Sequence, residues 1–243
     1  MEFEDDAFVL SARVHGETGA IVELLTSLHG RWAAHVAGGA SRRIKPMLQA
    51  GSKVLVRYRA RTSDQLGSAT LEGGSEGPAA LFDDPDALAG LSAAAAVAAG
   101  ALPEREPHPG AYLAFEALAH ALQAVEVWPA VFVRFEAGLL EELGFGLDLS
   151  RCAATGSTDD LIYVSPKTGR AVSREAGEPY RSKLLPLPRF MLSAQGGLEA
   201  GDVGAGLDLT GHFLEQFVFG PVNKPLPPAR VWLIDRLREA GRL

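Results

Sequence analysis

The sequence predicts an α+β chain of several small domains, in which a five-stranded β-barrel precedes a helical region. Three observations carry this. Between residues 6 and 73, five short runs of strand-like residues are separated by turn chemistry. After residue 76 the composition turns alanine-rich and acidic, and prolines open helix-patterned segments. Between Leu147 and about Pro188 the chain is Gly- and Pro-punctuated with weak periodicity, which predicts a small loop-rich insertion. With 243 residues, 47% of them hydrophobic, the chain is long enough to bury a real core.

In order, the strands are expected over Ala7 to Val14, Ala20 to Thr26, Arg31 to Val36, Lys53 to Arg61 and Leu66 to Glu72. Turns fall at His15-Gly16, His29-Gly30, Gly38-Gly39 and Ser63-Asp64. Five strands in so short a span suit a small closed barrel. The Gly- and Ser-rich stretch Gly73 to Pro78 reads as a linker. Helices are expected over Asp86 to Ala99, Pro109 to Val127, Pro129 to Leu143, Leu207 to Phe219 and Pro228 to Ala240, from apolar residues at three and four spacing. The expected domains are 1–75 for the barrel, 76–146 and 189–243 for the two parts of the helical domain, and 147–188 for the insertion.

Charge points to the partner. Residues 31 to 61 hold Arg31, Arg42, Arg43, Lys45, Lys53, Arg57, Arg59 and Arg61 with no Asp or Glu. The chain is formally −7 and this block +8, so the remainder carries −15. From residue 62 to 130, Arg105 is the only cation. A field that opposes its own protein suits an anionic ligand. Along Lys53 to Arg61 the alternation has period two: Val54, Val56, Tyr58 and Ala60 share one face, and Lys53, Leu55, Arg57, Arg59 and Arg61 share the other. The cationic face has a step of roughly 6.6 Å per two residues, which lets it track a polyphosphate backbone. An ordinary solvated face mixes both signs, so the lack of interleaved acids favours a contact surface. The loop Gly38-Gly-Ala-Ser-Arg42-Arg43-Ile-Lys45 adds glycines that permit close backbone approach, together with further cations. In a barrel of the OB type, single-stranded nucleic acid lies across one face and against such loops. Trp32 is a candidate for base stacking, whereas Tyr58 falls on the apolar face of its strand and belongs to the core.

Catalytic motifs are sparse. No Gly-Lys dipeptide occurs, which removes a phosphate-cradling Walker loop, and no Gly-x-Gly-x-x-Gly follows a strand. Gly73-Gly-Ser75-Glu-Gly77 matches the spacing of a hydrolase nucleophile elbow, but Pro78 and an acidic linker follow instead of a helix. A hydrolase using Ser75 is therefore a weak alternative, and the chain is expected not to be an enzyme. The six histidines are scattered and Cys152 is the single cysteine, so neither a disulfide nor a cysteine-rich metal site is expected, and no cofactor is called for. No apolar run is long enough to span a membrane. The acidic opening Met1-Glu-Phe-Glu-Asp-Asp is unlike a secretory signal, which makes the cytoplasm the expected compartment.

Taken in succession, Ala7-Phe-Val-Leu10, His15-Gly-Glu17, Leu24-Leu-Thr26, His29-Gly-Arg31, Gly38-Gly-Ala-Ser-Arg42-Arg43 and Leu48-Gln49, followed by the basic strand, resemble the amino-terminal OB domain of the RecO recombination mediators. The resemblance continues through Arg134-Phe-Glu136, Leu139-Leu140, Leu143-Gly-Phe-Gly146, Cys152, Lys224-Pro-Leu226 and Arg230, so it covers nearly the whole chain in order. It rests on that order rather than on any single distinctive motif. Some members carry two Cys-x-x-Cys pairs that bind structural zinc in the insertion. The matching positions here are Cys152 and Thr155, then Ser173 and Ala176. A zinc-knuckle-like shape held by Leu161, Tyr163, Val164 and Val172, without zinc, is the expectation.

The resemblance implies a non-enzymatic DNA-binding protein of DNA repair and homologous recombination. It implies binding of single- and double-stranded DNA, annealing of complementary strands, action with RecR, and help in loading the recombinase RecA onto strands covered by single-strand binding protein, with association to the nucleoid during repair. The eight cations of the basic block supply the expected DNA site, with Arg42, Arg43, Arg57 and Arg59 foremost. The acidic, Phe-ended tail of single-strand binding protein would dock in an apolar slot with a basic rim, for which Arg134 is the candidate. The alternative for Arg134 is an ion pair with Glu116 or Glu136. An RNA-binding module on the same barrel shares the electrostatic argument and is the alternative for the chain as a whole.

Overall fold

The computed structural model describes residues 1–62, 65–73, 77–124, 126–193 and 196–243. The expected turn at Ser63-Asp64 and the Ser75 elbow lie outside the described residues. The chain packs as two compact units, Met1–Val125 with Pro227–Leu233, and Glu126–Leu226 with Ile234–Leu243.

Strands β1 (Glu2–His15), β2 (Gly19–Thr26), β3 (Gly30–Val36), β4 (Lys53–Arg59) and β5 (Gly67–Gly73) close a barrel in the order β1-β2-β3-β5-β4. Only the β3–β5 pairing is parallel, and the barrel is of the OB type. The first strand is long enough to serve two neighbours: Glu2 to Phe8 pair with β4 and Ala7 to His15 pair with β2. A register shift between Val9 and Ser11 bends it around the corner. Period-two alternation sends Val54, Val56 and Tyr58 inward, where they meet Val22, Leu24, Trp32, Ala34, Val36 and Leu71. Burying each of the larger of these side chains contributes roughly 1.5–3 kcal/mol. Tyr58 is fully buried, and its hydroxyl accepts the Gly67 N–H at 3.1 Å. A Cβ at Gly67 would stand 2.3 Å from the Tyr58 ring, so only glycine lets β5 pass over it.

Asp5 is the polar exception near the barrel end. Its carboxylate is 5% exposed and accepts from Ser27 Oγ at 2.5 Å, Leu28 N–H at 2.9 Å and His29 Nδ1 at 2.7 Å. Burial pushes this carboxyl up, but the hydrogen bonds from Ser27, His29 and Leu28 outweigh it and hold the group below its ordinary value. His29 in turn stacks on Phe3 with centroids 4.0 Å apart.

Helices α1 (Pro85–Ala101) and α2 (Pro109–Ala124) also belong to the first unit. Asp84 caps α1 by accepting from the Asp86 and Ala87 N–H groups at 3.1 and 3.0 Å, with Pro85 in the first turn. The alanines of α1 give it a slim profile that packs on β1 and β2. Phe115 and Tyr112 of α2 meet Phe8, with centroids 4.9 and 5.3 Å away.

The second unit begins with α3 (Trp128–Glu142). The insertion, expected to be loop-rich and knuckle-like, forms a three-stranded antiparallel sheet, β7-β6-β8, from β6 (Leu161–Val164), β7 (Ala171–Ser173) and β8 (Leu185–Pro186), with one turn of helix, α4 (Arg174–Gly177), after β7. Of the four residues expected to hold it, Leu161, Val164 and Val172 are buried and Tyr163 is half-buried. Helix α5 (Asp202–Phe213) runs into a π-helical segment at Leu214–Phe219 and lies against α3. A Cβ at Gly206 would meet Val133 at 2.9 Å, which shows how closely the two helices approach. Buried Glu136 on α3 accepts from Thr210 Oγ1 of α5 at 2.6 Å. Helix α6 (Pro228–Glu239) ends the chain's regular structure.

Candidate nucleic-acid interface

The barrel divides the eight predicted cations into two groups. Arg57 and Arg59 do project outward from β4, as the alternation requires. Antiparallel pairing with β1, however, places Glu4 opposite Arg57 and Glu2 opposite Arg59. Arg57 donates through Nε to Glu4 and through a terminal nitrogen to Glu72 of β5 at 2.9 Å. Arg59 pairs with Glu2 at 2.7 Å. Lys53 reaches Glu116 of α2 at 2.7 Å. The acid-free segment therefore does not give an acid-free face, because neighbouring strands and α2 supply the missing carboxylates.

Arg31 is still more committed. Its side chain is only 14% exposed and lies 3.5 Å from Glu23 and 3.8 Å from Glu104. Its Nε donates to the Leu102 carbonyl at 2.8 Å, and its own carbonyl accepts from the Arg105 N–H at 2.8 Å. Arg31 thus ties β3 to the segment that follows α1. Trp32 is a correction to the sequence reading: it is 4% exposed inside the barrel, its Nε1 donates to the His29 carbonyl at 2.7 Å, and it presents no free ring face for a base.

The second group is different. Arg42, Arg43, Lys45 and Arg61 are exposed and make no ion pair among the described residues. The first three ride on the connection between β3 and β4. Gly38 takes the left-handed conformation with φ +69°, and Gly39 lies so close to β2 that a Cβ would stand 2.6 Å from Ala20 Cβ. The Ala40 N–H donates to the Thr18 carbonyl at 3.2 Å, and the Lys45 N–H donates to the Ser41 carbonyl at 2.9 Å. Ile44, Met47 and Leu48 pack against the barrel core, and Lys45 opens a 3-10 turn over Lys45–Leu48. Apolar residues anchor the loop while Arg42, Arg43 and Lys45 face solvent, so a preformed and uncompensated positive patch results. Arg61 lies just past the end of β4 rather than within it.

One cation escaped the sequence reading. Arg13 is exposed on β1, makes no ion pair among the described residues, and lines a groove of about 360 Å³ together with Lys45. Its signal was hidden because Glu17 and Glu23 separate it from the acid-free block.

In the second unit, Arg134 pairs with neither Glu116 nor Glu136. It projects from α3 and donates to the carbonyls of Phe190 and Ser193, the latter at 2.6 Å. It also rims a slot of about 290 Å³ whose walls include Val127, Val131, Phe190 and Leu198. Much of the guanidinium's donor capacity is already used by the two carbonyls.

The four positions matched to zinc ligands hold one thiol, two hydroxyls and a methyl group. Ser173 donates to Cys152 Sγ through its N–H at 3.3 Å and its Oγ at 3.4 Å. Burial pushes the Cys152 thiol up, while hydrogen bonds from Ser173 and Thr155 pull it down to about 6. One sulfur with neutral hydroxyl neighbours does not fit the thiolate or imidazole set that structural zinc requires. Among the described residues no three His, Cys, Asp or Glu side chains cluster as metal ligands.

Residues 1–72 match the family model described as Recombination protein O N terminal, and residues 83–225 match that described as Recombination protein O C terminal. The chain is 79% identical to the DNA repair protein RecO of Phenylobacterium zucineum over 243 residues, covering 100% of both. It is 74% identical over 243 residues to the protein of that name from Caulobacter vibrioides strain NA1000, again with full coverage of both. Against the Rhodospirillum centenum protein of that name, identity is 53% over 242 residues, covering 99% of this chain and 96% of the relative.

Proposed function

Because the chain belongs to the RecO family of DNA repair proteins, we propose that it is a non-catalytic recombination mediator that binds single- and double-stranded DNA and anneals complementary strands in the cytoplasm. The observation that carries this reading is the preformed loop of exposed, unpaired cations, Arg42, Arg43 and Lys45, on an OB-type barrel. Annealing requires a surface that cancels phosphate repulsion without demanding base identity, and flexible cations fixed on a rigid backbone supply it. Arg61 extends the same free charge, whereas Lys53, Arg57 and Arg59 meet phosphate only by exchanging their carboxylate partners. The acidic remainder of the chain confines DNA to the barrel.

The mediator role further includes action with RecR and loading of RecA onto strands covered by single-strand binding protein. The slot beside Arg134 suits the acidic, Phe-ended tail of the latter, with the aromatic ring against Val131 and Leu198 and the carboxylates toward the guanidinium. The test is the rate at which two labelled complementary strands anneal, with and without the protein. The wild type should accelerate annealing, and Arg42→Ala with Arg43→Ala should remove most of the acceleration. An undiminished rate in that variant would contradict the assignment to the loop. A fluorescent tail peptide should bind the wild type and lose affinity with Arg134→Ala.

A further inference from the structure

The groove beside the cationic loop is not a flat phosphate-binding surface. Its volume is about 360 Å³, within the range of small-ligand pockets. The floor is apolar, formed by Ala12 of β1, Ala20 of β2, and Ala40 and Leu48 of the connection between β3 and β4, while Arg13 and Lys45 stand on the rim. The loop's bond from Ala40 N–H to the Thr18 carbonyl fixes one wall against the β1–β2 hairpin. Neither rim cation has an acidic partner among the described residues.

We propose that this groove holds one unstacked base of a bound single strand, with Arg13 and Lys45 neutralising the phosphates on either side of it. The inference rests on the nucleic-acid reading above and deepens it by naming a subsite. Charge complementarity selects the occupant. Apolar contact alone would suit any greasy side chain, but this lining also carries two cations, and Arg42 and Arg43 continue the positive charge along the same connection. A nucleotide strand offers that alternation, a flat apolar face flanked by anions at each repeat. The shallow methyl-bearing floor also accepts any base, as annealing without sequence preference requires, because each base presents a π-face.

The test compares two oligonucleotides of equal length and phosphate count, one with bases and one with abasic sites throughout, in the same salt series. The wild-type chain should prefer the base-bearing strand by about fivefold, the low end of what contact with one base contributes. Ala12→Leu with Ala40→Leu fills the groove without altering charge; both positions are exposed, and a thermal melt verifies that the barrel persists. This variant should bind both strands equally, with the salt slope of the wild type. Arg13→Ala should weaken both strands together and make the slope shallower. If the filled variant keeps the wild-type preference for bases, the subsite is overturned while DNA binding by the loop stands. If neither strand binds the wild type in a salt-dependent way, the nucleic-acid reading itself falls. If the wild type shows no base preference but binds an acidic hexapeptide carrying one Phe, and the filled variant does not, the groove is a peptide site and the proposal is wrong.

Discussion

Arg57 on β4 and Glu4 on β1 are direct partners in the antiparallel register, and the guanidinium donates to that carboxylate while also holding Glu72 of β5 at 2.9 Å. A cation read as free along the sequence is thus held between the first strand of the barrel and the strand that follows its own. Such exposed pairs add little stability. Their larger effect is on recognition, because the two carboxylates occupy the donors a phosphate would use.

Releasing Arg57 should therefore strengthen DNA binding. Glu4→Gln with Glu72→Gln is expected to raise affinity for single-stranded DNA severalfold at low salt, and to steepen the dependence of log affinity on log salt by about 0.7, one further phosphate. Fluorescence anisotropy across a salt series measures both, and an unchanged slope would show that β4 stays away from the strand.

Gly39 sets the position of the loop. In Gly39→Ala the new methyl would meet Ala20 Cβ at 2.6 Å and the Ala20 nitrogen at 2.9 Å, so the connection must move off β2. Overpacking of this kind costs about 1–3 kcal/mol. Thermal melting should report that loss, and DNA affinity should fall although no charge is removed.

Asp5 makes the barrel acid-sensitive. Its carboxyl is held below the ordinary 3.8, so its contribution is fully present above that value and is lost as pH falls through the lower folded value. Asp5→Ala strands the Leu28 N–H and the Ser27 hydroxyl and should cost about 1–3 kcal/mol near neutral pH. Melting temperatures measured against pH should begin to converge for variant and wild type as pH falls below 3.8, and should meet only below the lower folded value, where the native carboxyl too is protonated.

Cys152 should titrate early. With the thiol at about 6 against an ordinary 9.0, its contribution to stability grows as pH rises between those values. Ser173→Ala removes the hydroxyl donor and should move the thiolate absorbance titration upward. Bulky thiol reagents should nevertheless react slowly with the native protein, because Cys152 is 1% exposed.

The barrel was legible in the sequence because its signals are local. Alternation along Lys53 to Arg59 and turn residues at each hairpin need no knowledge of partners, and proline in the first turn marked α1, α2 and α3 within a few residues. Trp32 was misread although its parity with Ala34 and Val36, both core residues, points inward. What the sequence hid is set by register. Closure of β4 against both β1 and β5 brings Glu4 and Glu72 to Arg57, and no local pattern announces it. Arg13 was missed for the converse reason, since acids near it in sequence make no ion pair with it among the described residues. The insertion's strands, two to four residues long, are too short for periodicity to register.

The most direct test measures single-stranded DNA affinity against salt for the wild type, for Arg42→Ala with Arg43→Ala, and for Arg57→Ala with Arg59→Ala. If the unpaired loop carries the contact, the first variant should lose about 1.4 from the slope, two phosphates, while the second keeps the wild-type slope. The opposite pattern, with an unchanged slope for the loop variant and a shallower one for the strand variant, would contradict the account and return the contact to β4.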